Sequence, residues 1–234
     1  MTNRNILIIG ATSGIGHAIA TALLAQGANV FAASRRGAEG LPAGVTGITL
    51  DATQDFTLPE GFLPAQLHGL VYCPGSINLK PLQRLTADDL MADFNVNTVG
   101  AFRSVQACLK ALKASGGASV LFFGTVAATL GMGFHASVAA AKGGLEAMAR
   151  SLAAELAANQ IRVNVIAPSL TDTPLAQSLL STPDKREAGD KRHPLGRVGT
   201  VEDMAAAALY LLSPASGWVT GQTLGVDGGM ATLK

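Results

Sequence analysis

The stretch Ile6-Leu7-Ile8-Ile9-Gly10-Ala11-Thr12-Ser13-Gly14-Ile15-Gly16 decides the fold. Its four leading β-branched and aliphatic residues read as a buried strand. Ile15, Ile19, Ala22 and Leu23 then recur at helical spacing, and Gly27 stops that helix. A strand feeding straight into a helix through a glycine-rich turn is the start of a parallel β–α–β unit. Gly10 and Gly14 open backbone conformations closed to other residues, and Gly16 lets helix and strand approach closely. The free N–H groups and positive end of the helix suit a pyrophosphate. Three loosely spaced glycines are a weak signal, and a ligand-free tight turn gives the same letters. The strand before and the helix after them raise its value.

The same alternation continues along the chain. Strands are expected at Val30–Ala33, Gly47–Leu50, Gly69–Tyr72, Ser119–Phe123, Ile161–Ile166 and Thr223–Val226. A helix capped by Thr86, with Asp88 and Asp89 in its first turn, carries Leu90 and Phe94 inward and runs on past Asn97. A longer helix begins at Ala136 with Leu145, Met148, Leu152 and Leu156 on one face, and Val201–Leu212 forms a late helix. Near-continuous apolar strands between helices imply an α/β fold with a parallel sheet covered on both faces. Residues 168–200 concentrate Pro, Gly and charge and read as a mobile loop region. No linker or internal repeat interrupts the 234 residues, so 1–234 is read as one domain.

Composition narrows the function. Apolar residues make up 48% of the chain, which excludes disorder, and charged residues only 14%, which leaves much surface small and neutral or covered by a partner. Seventeen Lys and Arg against sixteen Asp and Glu argue against nucleic acid held through phosphates. No like-charge run marks a membrane-docking patch, and no run of about 18 apolar residues spans a bilayer. Cys73 and Cys108 lack the spacing of a zinc site or a disulfide framework, and the four histidines lack metal-ligand spacing. No secretory leader is seen, and the reading places the protein in the cytoplasm.

At the end of the second strand, where an acidic residue would bind a ribose 2′-hydroxyl, stand Ser34-Arg35-Arg36. A guanidinium pairs with a 2′-phosphate through charge-assisted hydrogen bonds, which points to NADP(H). The competing reading is two solvated arginines, more so for Arg36, and with it a preference for NAD.

The glycine turn with Ile15, the segments Asn95-Val96-Asn97-Thr98-Val99-Gly100 and Arg162-Val163-Asn164-Val165-Ile166-Ala167-Pro168, and the tail Thr220 to Gly229 lie in order over nearly the whole chain. Together they resemble the short-chain dehydrogenase/reductase family. The resemblance implies a seven-stranded, doubly wound Rossmann-like sheet with helices on both faces. It implies a nicotinamide cofactor, hydride transfer to or from a small carbonyl or alcohol, and a homotetramer or homodimer. The 169–200 region then becomes the substrate loop.

Residue by residue, the resemblance gives the phosphate turn to Gly10, Thr12, Ser13, Gly14, Ile15 and Gly16, and the adenosine end to Ser34, Arg35, Asp51 and Ala52. Cys73-Pro74-Gly75 stands where the family usually has Asn-Ala-Gly beside the cofactor. Pro168 and Thr173 match the segment that holds the nicotinamide carboxamide, with Ser169 in place of a common glycine. Lys142 matches the lysine that binds the nicotinamide ribose, Asn97 the asparagine of a proton relay, and Thr125 the hydroxyl that bonds the substrate oxygen.

The family's tyrosine would stand four residues before Lys142 and thirteen after Thr125. That position is Val138. Valine has no atom that can carry the proton, and general acid–base catalysis contributes about 10²–10⁴-fold. Tyr72 and Tyr210 read as packing residues. His135, one helical turn before position 138, is the best replacement acid, although a histidine near a helix start is more often a cap or surface group. Lys142 itself, a water held by Asn97 and Lys142, or an acidic group on the substrate are further sources. Two readings follow: an NADP(H)-dependent oxidoreductase with an atypical proton donor, or an inactive NADP(H)-binding scaffold or regulatory subunit.

Overall fold

A computed structural model describes residues 1–233. Seven parallel strands form one sheet in the order β3-β2-β1-β4-β5-β6-β7. They are β1 Asn5–Ile9, β2 Asn29–Ser34, β3 Thr46–Thr49, β4 Gly69–Tyr72, β5 Ala118–Phe123, β6 Ile161–Pro168 and β7 Thr223–Val226. Each expected strand is present, with ends within two residues of the expected ones. Strands β4 and β5 are buried along their whole length, as continuous apolar runs require when both sheet faces are covered.

The helices are α1 Gly14–Ala25, α2 Ala87–Phe94, α3 Gly100–Ala114, α4 Ala136–Leu156, α5 Pro183–Asp190 and α6 Val201–Leu212. One face of the sheet packs on α1 and α6, through Ile6, Ile8, Ile19, Leu23, Val71, Leu121, Ala208 and Leu212. The other packs on α3 and α4, through Leu7, Leu70, Tyr72, Val105, Leu112, Phe122, Leu145 and Leu156. Alternate residues of β1 therefore feed opposite cores, as the two-residue strand period demands.

Ile9 pairs with Ala33 on one side and Tyr72 on the other, so the carboxyl ends of β2, β1 and β4 lie level. The strand order reverses between β1 and β4, and a crevice opens there beyond the strand ends.

Two expectations fail. The 168–200 segment is not a bare loop: it holds a 3-10 helix, Pro174–Leu179, and α5. Thr173 and Thr182 cap them, each followed by a proline at the first helical position. This is a helix-start signal that the high Pro and charge content hid. Leu90 is exposed, not inward. The inward row of α2 runs instead through Asp93 to Asn97, because both side chains find polar partners inside. Between α2 and α3 the chain winds as a π-helix, Asn95–Val99, which carries Asn97. Such bulges re-aim side chains within an otherwise continuous helix.

Candidate functional site

The phosphate turn follows β1. Gly14 has φ +55°, in the left-handed region. A Cβ added to Gly16 would lie 2.2 Å from the Gly10 carbonyl oxygen, a contact no side chain survives. Ser13 occupies the N-cap of α1 with no side-chain cap bond, and the first turn carries no acidic residue. The positive end of the helix is thus unneutralised by the chain itself, which fits an anionic phosphate. Thr12 sits in the turn, and its carbonyl accepts a hydrogen bond from Arg36 Nη2 at 2.9 Å. The Pro74 ring, at the end of β4, packs on Gly10 and closes the turn from the other side.

The residues expected at the adenosine end lie at the tips of β2 and β3 and just beyond them. Ser34 Oγ donates to the Gly37 carbonyl at 3.0 Å, so this hydroxyl closes the turn after β2. Arg35 is exposed, and among the described residues its side chain makes no hydrogen bond or ion pair. Asp51 Oδ1 accepts from the Thr53 backbone N–H at 2.9 Å and from Thr53 Oγ1 at 2.8 Å. Those two bonds, the backbone one first, hold its carboxyl below the usual range. Ala52, the next residue, is buried.

A cleft of about 830 Å³ opens next to this turn. Its walls include Ile15, Cys73, Gly75, Thr125, His135, Val138, Lys142, Pro168 and Thr173, so nine of the sequence-derived positions share one cavity. Thr173 stands next to Gly14, with its Cβ and Cγ2 3.7 Å from where a methyl on Gly14 would sit. Leu79, Leu130, Met132, Phe134, Leu175 and Leu179 make the rest of the wall largely apolar. Phe134 is exposed with φ +67°, a strained conformation for a non-glycine residue at the rim.

Lys142 projects from α4 into the floor. Its Nζ donates to the Phe123 carbonyl at 2.6 Å. Burial pulls the amine down to about 8, against the weaker opposing pull of Cys73 and Glu146. The Cys73 thiol is pushed up to about 12 by the same burial, so it is a neutral neighbour. Thr125 caps the 3-10 turn Val126–Ala128, and its Oγ1 accepts the Ala127 backbone N–H at 3.2 Å. Its own hydroxyl proton remains to donate toward the cleft.

Asn97 is fully buried. Its Nδ2 donates to the Asp93 carbonyl at 2.7 Å and to Ser76 Oγ at 2.9 Å, and its Oδ1 has no partner among the described residues. That Oδ1 and Lys142 Nζ both approach Gly75, 3.3 Å and 3.4 Å from where a methyl on it would sit.

Val138 is 7% exposed and presents only its isopropyl group to the cleft. His135 holds the N-cap position of α4 without capping it. Its Nδ1 lies 2.6 Å from the Gly133 carbonyl and must donate there, which leaves Nε2 as the free ring nitrogen. Tyr72 hydrogen-bonds the Val96 carbonyl at 2.6 Å inside the core, which confirms a packing role.

Sequence reasoning missed three features. Arg36, read as solvated, is tied to the phosphate turn. His193 is buried: its Nδ1–H donates to the Gly189 carbonyl at 2.8 Å, and its Nε2 accepts from Ser169 Oγ at 2.7 Å. The serine that replaces a common glycine therefore fastens α5 to the end of β6. The third is a cluster of buried Asp93 and Ser137 with half-buried Ser76, signalled only by an acidic residue four before Asn97 on an inward helix face. Among the described residues no cluster could hold a metal ion, and no helix is long and apolar enough to cross a membrane.

A family profile described as "Enoyl-(Acyl carrier protein) reductase" matches residues 10–231. The 3-oxoacyl-[acyl-carrier-protein] reductase MabA of Mycobacterium tuberculosis is 33% identical over 235 residues, covering 97% of this chain and 93% of that protein. A tropinone reductase homolog of Arabidopsis thaliana is 30% identical over 242 residues, covering 97% and 92%. A gluconate 5-dehydrogenase from Burkholderia cenocepacia, solved in complex with NADP and tartrate, superposes with a TM-score of 0.88 at 28% identity, covering 100% and 97%. Fold, sequence profile and relatives agree, and the chain belongs to the short-chain dehydrogenase/reductase family of oxidoreductases.

Proposed function

We propose that residues 1–234 form one NADP(H)-binding domain that interconverts a carbonyl and an alcohol on an apolar small molecule, with a proton donor other than residue 138. The observation that carries this reading is the convergence of Lys142 and Thr125 on one apolar cleft beside an uncapped helix N-terminus, with the unpartnered Oδ1 of buried Asn97 behind Gly75 of its wall. The bound nicotinamide would supply or accept the hydride.

The chain's own residues divide the rest of the work. The Gly10–Gly16 turn, with Thr12, Ser13 and Ile15, would hold the pyrophosphate. Arg35 would pair with a 2′-phosphate, Ser34 would shape its loop, and Asp51 and Ala52 would border the adenine. Cys73, Pro74 and Gly75 would line the inner edge of the cofactor. Thr173, at the end of the Pro168 segment, would hold the carboxamide. Lys142 would bind the nicotinamide ribose, and its cation would stabilise charge building on the substrate oxygen. Thr125 would donate a hydrogen bond to that oxygen. His135 and Lys142 are the titratable side chains on the wall around position 138.

The same reading makes the protein a cytoplasmic homotetramer or homodimer. A fully exposed Trp218 and half-exposed Tyr210 and Leu224 beside the β7 edge support an intersubunit surface. Comparison of NADPH and NADH affinities, with NADPH oxidation against a ketone panel, tests the reading. NADPH binding at least about tenfold tighter than NADH, together with turnover, supports it, about 1.4 kcal/mol of discrimination. Equal affinity with no turnover contradicts it.

A further inference from the structure

Asp93 is 3% exposed and forms no ion pair among the described residues. Burying a carboxylate without a cation costs several kcal/mol unless hydrogen bonds satisfy it. Two serine hydroxyls do so. Ser76 Oγ donates to Asp93 Oδ1 at 2.6 Å, and Ser137 Oγ donates to Asp93 Oδ2 at 2.5 Å. The carboxylate thus bridges the loop after β4 to the first turn of α4, one residue from Val138.

Ser76 is the member that reaches the cleft wall. Its single proton goes to Asp93, and one lone pair accepts from Asn97 Nδ2 at 2.9 Å. A hydroxyl has two lone pairs, so one remains to receive a proton. Lys142 Nζ gives one N–H to the Phe123 carbonyl and, on the reading above, its others to the nicotinamide ribose and the charge on the substrate oxygen, while half-buried His135 turns its Nδ1 to the Gly133 carbonyl.

We propose that Ser76 and Asp93 are a proton-relay pair that replaces the acid–base function position 138 lacks. This rests on the oxidoreductase reading above. In the oxidative direction the substrate O–H proton passes to Ser76 Oγ while Ser76 gives its own proton to the Asp93 carboxylate. The electron pair left on oxygen forms the carbonyl π bond as the C–H pair departs as hydride, which a bound oxidised nicotinamide would accept. Reduction runs the same transfers backwards from the protonated carboxyl. Ser76 touches the substrate and is the catalytic residue of the pair. Asp93 acts through it and positions and recharges it.

The test uses NADPH with two probe substrates, trans-decalone and phenanthrenequinone. Ser76→Ala and Asp93→Asn are expected to lower kcat on the ketone by about 100-fold, within the usual range for general acid–base catalysis, with the NADPH Kd within about twofold of wild type. In the Val138→Tyr background, where a phenol supplies the proton, Ser76→Ala is expected to cost less than about threefold. A merely structural role would cost the same in both backgrounds. On cofactor-free protein, the infrared difference between wild type and Asp93→Asn isolates the Asp93 carboxylate band, and Ser76→Ala is expected to shift it. An unshifted band, unchanged kcat, or equal losses in the two backgrounds would overturn the relay while leaving the oxidoreductase reading intact. A wild type inert on both probes overturns that reading and the relay with it.

Discussion

Asn97 Oδ1 and Lys142 Nζ converge on Gly75 from two different helical segments, and a side chain there would crowd both. One comes from the π-helical segment, the other from α4, and Gly75 lies in the loop that follows β4. A methyl there would stand 3.3 Å and 3.4 Å from the two polar atoms. Gly75→Ala is therefore expected to fold, with a cost near 1 kcal/mol or about 2–4 °C in Tm, and to weaken NADPH binding about tenfold. Thermal melting and fluorescence titration read the two effects separately.

Lys142 sets a pH dependence. Burial lowers its amine to about 8 from an ordinary 10.5, so between those values the folded state binds fewer protons than the unfolded one. Stability contributed by this group therefore rises with pH across that window, and the cost of burying the cation is fully present below about 8. Lys142→Met is expected to abolish that slope and to melt at pH 7 no lower than wild type, within about 3 °C. Its NADPH affinity should fall sharply. In wild type that affinity should decline as pH rises through about 8, as the cation is lost. A variant that melts far below wild type at pH 7 would show that the ammonium stabilises the fold.

Gly16→Ala meets backbone, not a flexible side chain, at 2.2 Å. The helix must move away from the strand, at an expected cost of about 1–3 kcal/mol. Because the displaced element is the end of α1 that faces the phosphate site, NADPH binding should weaken by more than about tenfold even where the protein remains folded. Circular dichroism melts with parallel binding titrations check both.

The two arginines after β2 should separate. Arg35 is exposed and free of partners among the described residues, so Arg35→Asp is expected to reverse the NADPH-over-NADH preference with little change in Tm. Arg36 is anchored on the Thr12 carbonyl, so Arg36→Ala is expected to weaken NADPH and NADH alike, about two- to fivefold, by loosening the turn. A cofactor switch from Arg36 instead would exchange the two roles.

The sheet was legible in the sequence because its central strands β1, β4 and β5 are mostly β-branched, aliphatic and aromatic runs, and the strands around them alternate with helical patterns. The Thr86 cap was equally legible, and the structure completes it as a capping box with Asp89. What stayed hidden depends on partners distant in the chain. Leu90 lost its place on the inner face because Asp93 and Asn97 bond to Ser76 from 17 and 21 residues away. His193 gave no sign of holding Ser169, 24 residues earlier. His68 accepts the Asn5 backbone N–H at 3.0 Å from 63 residues away. The local pattern shows which side chains can bond, and only the fold brings their partners to them.

The most direct test of the account is NADPH oxidation by wild type and Val138→Tyr side by side, on trans-decalone and phenanthrenequinone. The account predicts measurable wild-type turnover of the ketone, with Val138→Tyr altering the rate but not creating it. Turnover by Val138→Tyr alone, with wild type binding NADPH but inert, would contradict it and leave the natural protein a cofactor-binding scaffold.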